Sequence, residues 1–238
     1  MPDESSLLLT RDLTKSFGRF TALRGLSLDV PRGEFLTIVG RNGAGKTTFL
    51  KIVSSIIRSY AGEVFVSGRN LRETGEETRR TIGFVSHESL LYKDLTVRDN
   101  LSFYARMYGV PERESRIDAI IHRVDLEAKS SVLTRALSRG MKQRLSLARA
   151  FIHSPSILLL DEPFTGLDER ASEILDGFLA EFKASGGTTI MVTHDIERGW
   201  RLAGRVVVFE KGRVVHETSP QASSFDHFRS EYRRILFD

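Results

Sequence analysis

Residues 35–47 constrain this chain more than any other stretch. Phe35-Leu36-Thr37-Ile38-Val39 is a short unbroken apolar run, and Gly40-Arg41-Asn42-Gly43-Ala44-Gly45-Lys46-Thr47 follows it directly. An apolar run of that length reads as a strand buried on both faces, the habit of a parallel sheet. Residues 47–57 then place Leu50, Val53 and Ile57 at helical spacing. A glycine-rich loop joining such a strand to a helix lets backbone N–H groups close around an anion, and the helix dipole adds to the attraction. Lys46 is placed to neutralise phosphate charge, and the Thr47 hydroxyl to ligate Mg²⁺. Thr48, the next residue, belongs to the same group of binding positions. The loop therefore predicts binding of a nucleoside triphosphate with Mg²⁺.

The rest of the chain arranges itself around that unit. Alternating apolar residues over 7–13 and 23–30 predict two opening strands. Further strands are expected over 63–67, with a turn at Gly68-Arg69-Asn70, and over 82–86, 157–160 and 188–193. Residues 206–209 and 213–216 read as a hairpin across Glu210-Lys211-Gly212. Between 89 and 154 the pattern turns helical: one helix from Thr96 through Tyr108, a second over 112–124, and a third over 139–152 with Ser138 as N-cap. A helix over 171–183 separates two of the strands. Phe225, Phe228, Tyr232 and Ile235 lie at helical spacing in the tail. The expected architecture is one α/β domain over 1–238. Its core covers 1–88 and 155–217, a helical insert 89–154, and a helical tail 218–238.

Three further places carry chemistry. The apolar run 157–160 ends in Asp161-Glu162. Carboxylates at the C-terminal end of a strand in an open parallel sheet lie where ligands bind. Asp161 suits Mg²⁺, and Glu162 suits the orientation or deprotonation of an attacking water. His194 follows the strand over 188–193, so a third strand delivers it to the same edge, within reach of a γ-phosphate. Leu137-Ser138-Arg139-Gly140 opens a helix, where Ser138 and free backbone N–H groups form an anion site.

Bulk properties exclude several classes. The chain has 35 basic and 31 acidic residues, well mixed, for a net charge of +4. That balance describes a solvated surface, and no nucleic-acid partner is expected. Cysteine is absent, which removes disulfides, thiolate metal sites and cysteine nucleophiles. The first ten residues lack the basic start and apolar stretch of a signal peptide. No run approaches the ~18 apolar residues that span a bilayer, so any membrane role is expected to come through a partner.

Taken together these motifs resemble the ATP-binding cassette (ABC) ATPases over about residues 7–217. Residues 40–47 resemble the Walker A loop, 157–161 the Walker B strand, and Glu162 stands at the catalytic glutamate position. Residues 137–143 resemble the signature motif, Gly166-Leu167-Asp168 the D-loop, and His194 the switch histidine. Phe17, in Lys15-Ser16-Phe17-Gly18, matches the aromatic residue that stacks on adenine. The resemblance implies a phosphate-loop NTPase core (RecA-like) with a mixed sheet, an N-terminal antiparallel β region and an inserted helical subdomain. It implies ATP and Mg²⁺ as ligands and a head-to-tail dimer with a second ATPase subunit, in which Ser138 and Gly140 complete the partner's site. It also implies an integral membrane transporter subunit, with this chain peripheral on the cytoplasmic face of the cell membrane.

Two departures stand out. Arg139 occupies the first glycine position of the signature. His87, in Phe84-Val85-Ser86-His87, stands where the family's Q-loop glutamine is expected. Imidazole there is able to hydrogen-bond a nucleophilic or Mg²⁺-bound water, which makes His87 a third catalytic candidate. The stretch Thr96-Val97-Arg98-Asp99-Asn100-Leu101, with Phe103-Tyr104 and Tyr108-Gly109, resembles export-type cassettes. The short segment after the core also differs from importers that carry a regulatory domain. Within the exporters, His87 and Arg139 resemble the ATPase subunit of the haem exporter of cytochrome c maturation. On length alone, a non-transport cassette such as an iron–sulfur assembly scaffold ATPase stays open.

Overall fold

A computed structural model describes residues 6–86 and 89–237. The chain runs β1 (Ser6–Phe17), β2 (Phe20–Pro31), β3 (Phe35–Gly40), α1 (Lys46–Val53), β4 (Ala61–Val66), β5 (Arg69–Asn70), α2 (Gly75–Arg79) and β6 (Ile82–Val85). It continues with α3 (Val97–Met107), α4 (Arg113–Arg123), α5 (Arg139–Phe151), β7 (Ile157–Asp161), α6 (Glu169–Ala184) and β8 (Thr188–Val192). The last elements are α7 (Ile196–Leu202), β9 (Arg205–Glu210), β10 (Arg213–Thr218) and α8 (Phe225–Phe237).

Two sheets organise these elements. The larger has the order β10-β9-β3-β8-β7-β6, parallel except for β10. The smaller has the order β2-β1-β4-β5 and is antiparallel. The strands β3, β7 and β8 are buried at every position, which explains why their sequences do not alternate between apolar and charged residues; in β8 two buried threonines, Thr188 and Thr189, precede the apolar Ile190-Met191-Val192. The β1–β2 ribbon faces water on one side, so β2 shows the alternation of a half-buried strand.

Among the described residues, apolar packing forms three clusters. One lies between the two sheets and takes in Leu13, Leu26, Ile38, Phe49 and Phe209. A second joins α3, α4 and α5 to β7 and α6 through Leu101, Ile121, Leu145, Leu160 and Phe178. The helical insert thus shares its core with the parallel sheet rather than enclosing one of its own. The third holds α8 against α7 and β9, through Phe228, Val206 and Val208.

Several boundaries differ from the sequence expectation. Helix α1 stops at Val53 rather than Ile57, because Ser54 caps it and Ser55 enters the left-handed region at φ 59°. Residues 69–70 make a short strand on β4 where a plain turn was expected. The one-turn helix α2 carried no apolar period to announce it, having a single buried residue, Thr78. Ser138 does cap α5, its Oγ accepting from Met141 N at 3.2 Å.

Candidate functional site

The parallel register sets up the site. Ile38 of β3 and Asp161 of β7 both stand beside Val192 of β8. The C-terminal ends of three adjacent strands therefore deliver the glycine-rich loop, the Asp161-Glu162 pair and His194 to one edge, where ligands bind in open α/β sheets.

The loop is fixed by close backbone approach. Gly45 has φ 99°, and a Cβ there would meet Ala22 O at 2.4 Å. At Gly40 a Cβ would meet Phe209 O at 2.1 Å. Only glycine fits either position, for both sterics and conformation. The β9–β10 turn buttresses the loop from behind: Gly212 N donates to Ala44 O at 3.1 Å. Lys46 is buried, and its Nζ donates to Gly40 O at 2.8 Å and to Arg41 O at 3.0 Å. Burial pulls its pKa down, while Glu162 and Asp161 push it back up.

Thr47 Oγ1 donates to Asp161 Oδ1 at 3.0 Å. A hydroxyl and a buried carboxylate at that separation form a hard-oxygen donor pair, which fits Mg²⁺ bound with water and phosphate oxygens. A cavity of about 330 Å³ is lined by Asn42, Gly43, Ala44, Gly45, Lys46, Thr47, Thr48, Asp161 and Glu162, together with Phe20, Ala22 and Val192.

Glu162 adopts φ 53°, a left-handed conformation that costs a non-glycine residue energy and concentrates at functional sites. Its N donates to Val192 O at 2.9 Å, which ties it to β8. Its Oε2 lies 2.8 Å from His194 Nδ1 and accepts from His194 N at 3.3 Å. Glu162 is mostly buried, whereas His194 is largely exposed on the open side of the site.

The remaining candidates lie elsewhere. Phe17, at the end of β1, stands outside that cavity, half exposed, with Lys15 Nζ 4.8 Å from its ring centroid. Phe20, its cross-strand neighbour, lines the cavity instead. The Arg41 side chain turns away from the cavity, Nη1 donating to Leu236 O at 3.3 Å. Ser138 and Gly140 are absent from the cavity lining. Gly140 packs against the D-loop aspartate: a Cβ on it would meet Asp168 Oδ2 at 2.3 Å. The Arg139 guanidinium lies over Gly166, where a Cβ would meet Nη2 at 2.5 Å. His87 lies outside the described residues.

Sequence reasoning missed Phe20, whose signal was a second aromatic residue in Phe17-Gly18-Arg19-Phe20. It also missed the contact of the last helix with the loop, for which no local signal exists.

A sheet of this order, carrying a phosphate loop, an acidic strand end and a separate capped signature helix, defines an ATP-binding cassette. The profile of the ABC transporter family matches residues 23–165. The chain belongs to that family and is an ABC ATPase domain. It is 38% identical over 232 residues to the sulfate/thiosulfate import ATP-binding protein CysA of Burkholderia mallei, covering 94% of this chain and 66% of that one. It is 37% identical over 210 residues to the Nod factor export ATP-binding protein I of Paraburkholderia xenovorans, covering 87% of this chain and 69% of that one. The chain thus spans about two thirds of the length of these relatives.

Among solved structures, an ATP-binding subunit of an ABC transporter superposes with a TM-score of 0.87 at 29% identity, covering 95% of this chain and 99% of that one. A dimeric ATP-binding cassette in a post-hydrolysis state, bound to ADP and Pi, superposes with a TM-score of 0.80 at 28% identity, covering 89% and 98%. Among the described residues, no helix is long and apolar enough to cross a membrane.

Proposed function

We propose that this chain hydrolyses ATP to drive transport through a separate membrane-spanning subunit. The observation that carries the reading is the convergence of Lys46, the Thr47–Asp161 pair and Glu162 on one cavity, with His194 against the Glu162 carboxylate. In this reading the loop N–H groups and Lys46 hold the phosphates. Thr47 and Asp161 hold Mg²⁺, which would offset phosphate charge when bound. Glu162 orients the attacking water and draws its proton, and His194 fixes the Glu162 carboxylate from the exposed side.

The same reading makes the working unit a head-to-tail pair of chains. Ser138 and Gly140 line no part of the phosphate cavity of their own chain. They stand at the N-terminus of α5, with Ser138 exposed as its N-cap, and a helix start of this kind suits a phosphate brought by a second copy. The dimeric state of the solved cassette bound to ADP and Pi supports this arrangement. The segment 89–154, packed on α6 and β7, then carries closure to the membrane subunit.

The finer reading is export, with haem as cargo. It rests on the exporter-like stretch over 96–109 and on His87 and Arg139, since the relatives include both an importer and an exporter. Affinity purification from solubilised membranes tests the coarser claim: recovery of only soluble partners would replace it with the scaffold ATPase. The cargo is tested in cells carrying Glu162→Gln in place of the natural chain, which should lose covalently attached haem from their c-type cytochromes. Full haem attachment would rule haem out.

A further inference from the structure

Helix α7, which follows His194, lies flush on the parallel sheet. A Cβ on Gly199 would meet Thr37 Cγ2 at 2.9 Å and Thr193 Cγ2 at 3.0 Å, and Thr37 Oγ1 donates to Gly199 O at 3.1 Å. Asp195 caps the helix by accepting from Arg198 N at 3.0 Å. The backbone of Arg198 is therefore a fixed base, close in sequence to His194.

From that base the Arg198 side chain reaches two other segments. Its guanidinium carbon stands 3.7 Å from the centroid of the Phe164 ring, and Nη2 donates to Asp176 Oδ2 at 3.3 Å. Phe164 sits within 162–168, the stretch that begins with Glu162 and ends with Asp168. That stretch is a run of turns: Thr165 N donates to Glu162 O at 3.2 Å, and Leu167 N to Phe164 O at 3.3 Å. Asp176 belongs to α6, which Asp168 caps. One partly buried cation thus ties the helix after His194 to the loop after Glu162 and to the helix after Asp168. Among the described residues, Arg198 Nε is buried with no hydrogen-bond partner, a cost that the stack on Phe164 helps to offset.

Glu162 needs such support. Its left-handed backbone, at φ 53°, persists only where the surroundings over-determine it. The bond from its N to Val192 O fixes one side of the residue, and the stack on Phe164 fixes the chain that leaves it on the other.

We infer that Arg198 is a positioning residue for ATP hydrolysis, which holds segment 162–168 so that Glu162 stays aligned with His194. This rests on the ATPase reading above. Arg198 is absent from the lining of the phosphate cavity and acts through Phe164. Its loss loosens transition-state geometry at Glu162 and leaves the grip of the loop on phosphate intact, so turnover suffers more than binding.

A second contact of the same kind supplies the control. Arg123 of α4 stands 3.5 Å from the Phe178 ring centroid, and its Nη2 lies 2.8 Å from Glu181 Oε2. It too is absent from the cavity lining, and its contacts join α4 to α6 without touching segment 162–168. Steady-state kinetics, calorimetric titration with ATP and thermal midpoints are compared for the wild-type chain, Arg198→Met, Arg198→Lys and Arg123→Met. Arg198→Met keeps an alkyl stem and removes the cation, so kcat should fall by roughly 3- to 10-fold. The Kd for ATP should change by less than about twofold. Arg198→Lys keeps a charge for Asp176 and loses the planar stack, so its kcat should lie between the two. Arg123→Met should lower the thermal midpoint by a similar amount and leave kcat within about twofold of wild type. Phe164→Leu should itself lower kcat, and combined with Arg198→Met should lower it no further than the larger single effect.

Full kcat in Arg198→Met, with a wild-type chain that hydrolyses ATP, overturns the positioning role alone. So does an equal loss of kcat in Arg123→Met, which would make the effect one of general loosening, and so do losses that multiply in the double variant. Should Arg198→Met not fold, full kcat in both Arg198→Lys and Phe164→Leu overturns it. A wild-type chain that does not hydrolyse ATP overturns the ATPase reading and this inference with it.

Discussion

Glu162 Oε2 lies 2.8 Å from His194 Nδ1, although 32 positions separate the two residues. The contact exists because β7 and β8 are adjacent and parallel, so residues that follow each strand emerge side by side. Glu162→Gln keeps the shape and loses the base. ATP turnover, measured by phosphate release, is expected to fall by ~100-fold or more, while ATP binding persists and MgATP produces a dimer on size-exclusion chromatography. A normal turnover rate would remove Glu162 from the mechanism.

Lys46 gives a different signature. Its ammonium is buried at the loop and donates to the Gly40 and Arg41 carbonyls there, so in the proposed reading Lys46→Ala removes a charge-assisted contact to phosphate. Affinity for ATP should drop by roughly 10- to 100-fold, matching the loss of ~1.5–3 kcal/mol. Calorimetric titration that finds unchanged affinity would count against the phosphate cradle. Asp161→Asn retains an acceptor for Thr47 and should instead raise the Mg²⁺ concentration needed for half-maximal turnover.

Gly140 tests the second half of the site. A methyl group there would stand 2.3 Å from Asp168 Oδ2, and Asp168 Oδ1 caps α6 by accepting from Ala171 N at 2.8 Å. Gly140→Ala must displace the aspartate, at a stability cost of about 1 kcal/mol from the lost cap. Turnover should fall together with MgATP-driven dimerisation, while ATP binding to the single chain stays intact. If dimerisation and turnover are both unaffected, the signature does not act across the pair.

His153 makes stability pH-dependent. It stacks on Tyr108 at 4.0 Å, and its Nε2 donates to Ile82 O at 3.1 Å. Burial is the main cause that lowers its pKa from 6.5 to about 4, and Arg149 and Arg116 add to it. Nδ1 is buried without a hydrogen-bond partner, so a proton there has nothing to receive it. Below pH 6.5 the unfolded chain takes up a proton that the native chain refuses until about pH 4. Stability from this group is present above pH 6.5 and is lost as pH falls through that window, by up to ~3 kcal/mol. His153→Phe keeps the stack and should flatten the decline in thermal midpoint between those pH values. An unchanged slope would place the proton uptake elsewhere.

The readable parts of this chain are those whose physics is local. The strand, glycine loop and helix over 35–53 announce themselves because burial on both faces demands an unbroken apolar run and the cradle demands glycine. Asp161-Glu162 was legible as an acidic end to such a run, and Ser138 as a cap before a helical period. Phe20 shows the limit of local reading. A tight turn at Gly18-Arg19 pairs Phe17 with Phe20, and the pairing turns Phe20 rather than Phe17 toward the cavity. Arg41 shows it again, since its side chain answers a carbonyl 195 positions away.

The sequence by itself determined the cassette: its loop, its acidic strand end, its signature and the order in which they come. Their types and spacings are imposed by the chemistry of phosphate and by backbone geometry, both of which act within a few residues. Only the tertiary structure decided what surrounds them. Parallel register put Glu162 against His194, close packing put Arg139 over Gly166, and the fold of the tail put Leu236 against Arg41. Each of these contacts joins segments remote in the chain, and depends on how strands align and helices dock, which no single stretch of sequence encodes.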